Sequence, residues 1–147
     1  MRTARLLAVL LAALAACACA GATSPPKDFR KQSLSKSPEP FQDLRTSLLR
    51  VARARDANDG AAARAEWPRL LKASRDALVM TPPHDLKREN VSRFLEGRAR
   101  YSDALNALGR AQEGKDDAAL WAATKEVEDA FWAWHDAYRG RPSEGAV

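Results

Sequence analysis

The chain has 147 residues, with 24 Lys or Arg against 19 Asp or Glu and a formal charge of +5. An isoelectric point near 9.6 does not argue for nucleic acid, because the basic residues alternate with acidic ones and form no continuous stripe for tracking phosphates. Its two cysteines, Cys17 and Cys19, lie together near the start, which excludes a disulfide within the body of the chain and a cysteine nucleophile there.

Arg2 and Arg5 precede an unbroken apolar run from Leu6 to Ala16, the pattern of a signal peptide over residues 1–16. The run falls short of the roughly 18 residues that a membrane-spanning helix needs. Leu14-Ala15-Ala16-Cys17 resembles the lipobox of bacterial lipoproteins. That likeness implies cleavage before Cys17, acylation of this residue with palmitate-type chains, and anchorage on the periplasmic side of a membrane. Ala18-Cys19-Ala20 supports a rival reading, cleavage after Ala20 and a soluble periplasmic product. Removal of Arg2 and Arg5 leaves 22 basic against 19 acidic residues, a balance of +3, which is too mild to recruit a polyanion. Residues 17–40 read as a disordered tether, since Gly21 to Pro40 holds four of the eight prolines together with Ser, Lys and Thr.

Residues 41–140 have the size of one small domain with a single core, followed by a flexible tail over 141–147. Phe41, Leu44, Leu48 and Val51 recur at helical spacing in a first segment that runs to Ala57 and stops at Asn58-Asp59-Gly60. A second runs from Ala61 to Met80, with Trp67, Leu70, Leu71, Ala77 and Leu78 on its apolar side, and ends at Thr81-Pro82-Pro83. Pro68 lies inside it, so the helix either kinks there or starts there. The third segment is expected to take Asp85 as its cap and carries Val91, Phe94, Leu95, Tyr101, Leu105 and Leu108 to a break near Gly114. The fourth starts at Asp116 and runs to Tyr138, with Gly140 and Pro142 beyond. Short loops between amphipathic helices predict an all-α fold, an antiparallel four-helix bundle, with a three-helix body and a broken second segment as the alternative.

On the fourth segment Leu120, Val127, Phe131, Trp134 and Tyr138 share one stripe, the expected core seam. A second stripe, turned by roughly 80 to 140°, holds Trp121, Glu128, Trp132, His135 and Arg139. Two tryptophans there read most simply as packing against neighbouring helices, and His135 as a residue near a helix C-terminus. Trp121, Trp132 and Arg139 are also the candidate surface for a ligand or partner, because Trp and Arg dominate interface hot spots.

Phe131-Trp132-Ala133-Trp134-His135-Asp136-Ala137-Tyr138-Arg139 resembles the C-terminal helix of the cytochrome c-prime family, in which a C-x-x-C-H haem-attachment motif precedes Asp, a small residue, an aromatic and a basic residue. The likeness implies that His135 stands where the axial haem ligand would be, with Arg139 one turn on. Phe131 and Trp134 occupy the positions of the two attachment cysteines, and neither can add to a haem vinyl group, so covalent haem is excluded. The resemblance extends more loosely from Phe41 to Gly140 as four helices with the haem helix last.

The resulting expectation is a haem-free, cytochrome c-prime-like lipoprotein that serves as a binding or structural module of the cell envelope, with no cofactor. Its alternative is a noncovalent, b-type haem protein with His135 as axial ligand, for electron transfer or small-gas binding. No catalytic constellation is visible, and His84 and His135 lie on different segments without convergent metal ligands, so neither an enzyme nor a metal site is expected. The expected partners are the membrane, through Cys17, and an envelope protein or a second copy of the chain.

Overall fold

The computed structural model describes Phe29, Arg30, Leu34 and residues 36–141; the signal peptide, Cys17 and the tail beyond Arg141 lie outside these described residues. Among them the fold is all-α, with five helices: α1 (Glu39–Asp56), α2 (Gly60–Ala65), α3 (Trp67–Leu78), α4 (Arg88–Glu113) and α5 (Asp117–Tyr138). None of the described helices is long and apolar enough to cross a membrane.

Helix α1 opens with Glu39 and Pro40, where a proline costs nothing because first-turn amides have no intrahelical acceptor. Arg53 and Arg55 lie in its last turn, against the negative end of the helix dipole. The chain then turns at Asn58, whose φ of 51° is left-handed. Asp59 caps α2 by accepting from the Ala62 amide at 2.9 Å. The stretch expected as one helix from Ala61 to Met80 is two, separated at Glu66. Pro68 lies in the first turn of α3, the one place where its missing N–H and its ring do no harm.

Asp85 does not cap α4. The N-cap is Lys87, and no side chain satisfies the amides that follow it. Asp116 does cap α5, accepting from the amides of Ala118 at 2.9 Å and Ala119 at 3.3 Å. At the far end of α5, Gly140 at φ +65° lets the chain fold back, with Gly140 N donating to Ala137 and Arg141 N to Asp136.

Helices α4 and α5 form an antiparallel hairpin with the most extensive interface in the fold, while α1 lies against α2, α3 and α5, and α3 also meets α4. The core runs through Phe41, Leu44, Leu48 and Val51 of α1, Leu70 of α3, Phe94, Tyr101 and Leu108 of α4, and Leu120, Val127, Phe131 and Trp134 of α5. Leu95, expected on the apolar stripe of α4, is 43% exposed instead. Arg64 ties α2 to the start of α5, donating to Asp117 Oδ1 at 2.8 Å and to the Gly114 carbonyl at 3.0 Å. Gly60 packs so closely beside Asp117 that a Cβ would overlap the carboxylate.

The stretch before α1 is only partly the tether expected of it. Phe29, Leu34 and Ser37 are buried at 5, 4 and 6% exposure, and the first two belong to the same core. The physical reason is simple: Phe29 and Leu34 are large apolar groups in a polar segment that gain by leaving water, and Trp132 of α5 meets Phe29 edge-on.

Gly97 sets the spacing of the α4–α5 hairpin, since a Cβ on it would lie 2.9 Å from Trp134 Cα. Alanine at a helix interior normally gains up to about 1 kcal/mol over glycine. Here it must push two backbones apart, so Gly97→Ala is expected to lose about 1–3 kcal/mol in urea unfolding. A stabilised variant would show that the helices have slack.

Candidate functional site

The chemistry-bearing side chains of this fold converge on one flank of α5. His135 is completely buried, with Phe41 edge-on at 5.5 Å, Phe131 stacked at 6.0 Å and Trp132 edge-on at 5.8 Å between ring centres. Its Nε2 shares a 2.8 Å hydrogen bond with Ser37 Oγ, and Nδ1 has no partner among the described residues. Burial pushes the imidazole down to about 4; Asp136 opposes this, and Arg139, Arg30 and Arg141 reinforce it. At neutral pH the ring is uncharged.

Asp136, the next residue, is 2% exposed and accepts from Arg30 at 2.8 Å. The same guanidinium lies 5.1 Å over the Trp132 ring, and Phe29 meets that ring edge-on at 6.1 Å. Phe29, Arg30 and Ser37 thus close the flank that carries Trp132, His135 and Asp136. Two turns toward the start of α5, Glu128 is buried at 2% and accepts from Arg55 of α1 at 2.8 Å. Burial raises its carboxyl to about 7, against the opposing pull of Arg55 and Lys125. In the core, Tyr101 donates to Ser74 Oγ at 2.7 Å while Ser74 donates to the Leu70 carbonyl at 2.7 Å, and burial raises the phenol above its usual range.

Phe131 and Trp134, which the resemblance would align with attachment cysteines, are both fully buried. Trp134 lies 4.9 Å from Phe41, 5.4 Å from Tyr101 and 5.8 Å from Phe94, and Phe131 lies 4.9 Å from Trp132 and 6.0 Å from Phe41. Haem does not fit this packing through His135. A porphyrin at Nε2 would have to displace Ser37, and aromatic rings already enclose the imidazole.

Trp121, Trp132 and Arg139 do not form one surface. Trp132 is 7% exposed beneath Phe29 and Arg30, so it packs as core. Trp121 is half-buried near the start of α5 and donates to Asn58 Oδ1 at 3.1 Å, whereas Arg139 is half-buried just past the other end. At 1.5 Å per residue, the two are separated by roughly 27 Å along the axis. His84 is exposed, and no group of three potential metal ligands occurs among the described residues. The sequence reading missed Ser37, Arg30 and Arg55 as the partners of His135, Asp136 and Glu128. Phe29 and Leu34 were the available signal, as apolar residues inside a polar stretch.

Two buried groups on α5 drive stability in opposite directions with pH. His135 titrates in the folded chain at about 4, below its ordinary 6.5, so its contribution is complete above pH 6.5 and lost as pH falls toward 4. Glu128 titrates at about 7, above its ordinary 4.5, so its contribution is complete below pH 4.5 and lost as pH rises through 7. As pH rises from 4.5 to 6.5, the stability difference from the unsubstituted chain should move in favour of Glu128→Gln and against His135→Gln, each by on the order of 1–2 kcal/mol, whatever constant offset the lost contacts of each side chain impose. Urea unfolding across that window measures both, and parallel pH profiles for the two variants would contradict the assignment.

Compared with protein-family models, curated proteins and solved structures, the chain matches none, so the likeness of its last helix to the c-prime family rests on the residues themselves.

Proposed function

We propose that the chain is an exported helical binding module, tethered to the periplasmic face of a membrane, that works without haem and without catalysis. One observation carries this reading. At the positions where haem would be attached, Phe131 and Trp134 fill the interior, and the imidazole that would face iron is enclosed by three rings and bonded to Ser37. A haem-sized void in a core would forfeit contacts at about 24 cal/mol per Å³, and aromatic side chains at these two positions remove that cost.

Supporting the architectural side of the proposal are the α4–α5 hairpin, the contact of α1 with α3 and α5, and the contact of α3 with α4. These pairings suit an antiparallel four-helix bundle whose second arm is broken between α2 and α3. In this reading the lipid on Cys17 is the membrane partner, Phe29, Arg30 and Ser37 hold the near end of the tether to the body, and an envelope protein or a second copy is the macromolecular partner.

Absorption spectroscopy on protein from haem-supplied cells, and on purified protein titrated with haemin, tests the haem-free reading. No Soret band is expected. A band that appears on titration and disappears in His135→Ala would favour the b-type alternative. For the anchor, the expressed protein should partition into the membrane fraction, and Cys17→Ser should release most of it to the soluble fraction. An unchanged partition would contradict lipidation at Cys17.

A further inference from the structure

Where α4 begins and α5 ends, the fold holds a pocket of about 680 Å³, with Lys36, the neighbour of Ser37, on its wall. Asn90 lines it and is 7% exposed. Its Oδ1 accepts from Arg93 at 3.2 Å, but its Nδ2 donates to nothing among the described residues. Residue 140 is a glycine, and a Cβ there would come within 3.4 Å of Nδ2 and cover it. Asn90 lines the cavity with an amide donor that has no acceptor among the described residues.

Other groups at the pocket ask for the same kind of acceptor. Lys87 caps α4 without any side-chain bond, so the amides of Arg88 and Glu89 have no acceptor among the described residues at the positive end of a 26-residue helix. Lys36, Lys87 and Arg139 line the pocket, and their side chains have no ion-pair or hydrogen-bond partner among the described residues. Arg93 adds a fourth cation, positioned by Asn90 Oδ1 and by the Arg141 carbonyl at 2.9 Å. Asp85 and Glu89 also line the cavity. Tyr138 and Leu86 supply an apolar wall.

We propose that this pocket binds a phosphate-type oxyanion carried on a small organic body. The oxyanion accepts from Asn90 Nδ2 and the open amides of α4, within reach of Lys36, Lys87 and Arg139, and the organic part lies against Tyr138 and Leu86. Such a group has two sources, a soluble phosphate ester and the head group of an anionic phospholipid. Asn90, Lys87 and the open amides of α4 belong to no part of the His135 site, although Lys36 is the neighbour of Ser37, which bonds His135.

Nuclear magnetic resonance of the isolated protein, following the Asn90 side-chain amide and the Arg88 and Glu89 backbone amides, tests the proposal. The probes are sodium phosphate, glycerol 3-phosphate and dihexanoyl phosphatidylglycerol below its micelle concentration, with sodium chloride at matched ionic strength as control. A saturable shift at these three residues is expected with at least one phosphate probe and not with chloride. Tighter binding of the phospholipid than of glycerol 3-phosphate would identify a lipid source, and equal or weaker binding a soluble ester. Asn90→Asp and the surface change Lys87→Glu should each weaken binding at least tenfold, the latter without lowering the melting temperature. Shifts that never saturate, that chloride reproduces, or that Lys87→Glu leaves unchanged would overturn the proposal.

Discussion

The contact between Gly97 and the backbone of Trp134 brings α4 and α5 so close that the indole has one place to go, inward toward Phe41, Tyr101 and Phe94. Phe41 then meets Trp134, Phe131, His135 and Tyr138, all within about 6 Å of ring centre to ring centre, and so joins the start of α1 to the end of α5. Each such pair adds roughly 0.5–1.5 kcal/mol beyond the area it buries. Together they make the end of the last helix the most tightly determined part of the molecule.

That density has an electrostatic consequence. With water excluded, His135 is held neutral, and Asp136 and Glu128 each depend on an arginine from elsewhere in the chain, Arg30 and Arg55. Arg30 comes from the segment that also supplies Phe29 and Ser37, so the stretch leading out of the domain is coupled to the buried polar groups of α5. Breaking a buried pair by removing one partner is far more damaging than the pair is stabilising, because the remaining charge has nowhere to go. The segment before α1 is thus part of the fold, and any tether to a membrane begins upstream of it.

Much of this was legible in the sequence. The periodicity of Phe41, Leu44, Leu48 and Val51, the cap at Asp116 and the glycine stop at Gly140 each depend on local chemistry, and local chemistry is what a single sequence displays. Pro68 correctly marked a helix start as one of its two readings. The cap at Asp85 was misplaced because a turn through Pro83 and Leu86 carries the chain onward to Lys87, and such a turn is decided by its neighbours. The enclosure of His135 was not legible, since its partner Ser37 lies 98 residues away. Nor was the burial of Trp132, which the helical wheel put on a flank without showing that Phe29 and Arg30 would cover that flank. The pocket at Asn90 brings together three separate stretches of chain, and only folding places them side by side.

The proposed haem-free function requires Phe131 and Trp134 to fill the interior at the end of α5. Urea unfolding of Trp134→Ala addresses this most directly. Removing a completely buried indole from a site that its neighbours fill should cost about 3–5 kcal/mol. A loss below about 1 kcal/mol, the size expected where no packed core is disturbed, would mean that Trp134 fills nothing.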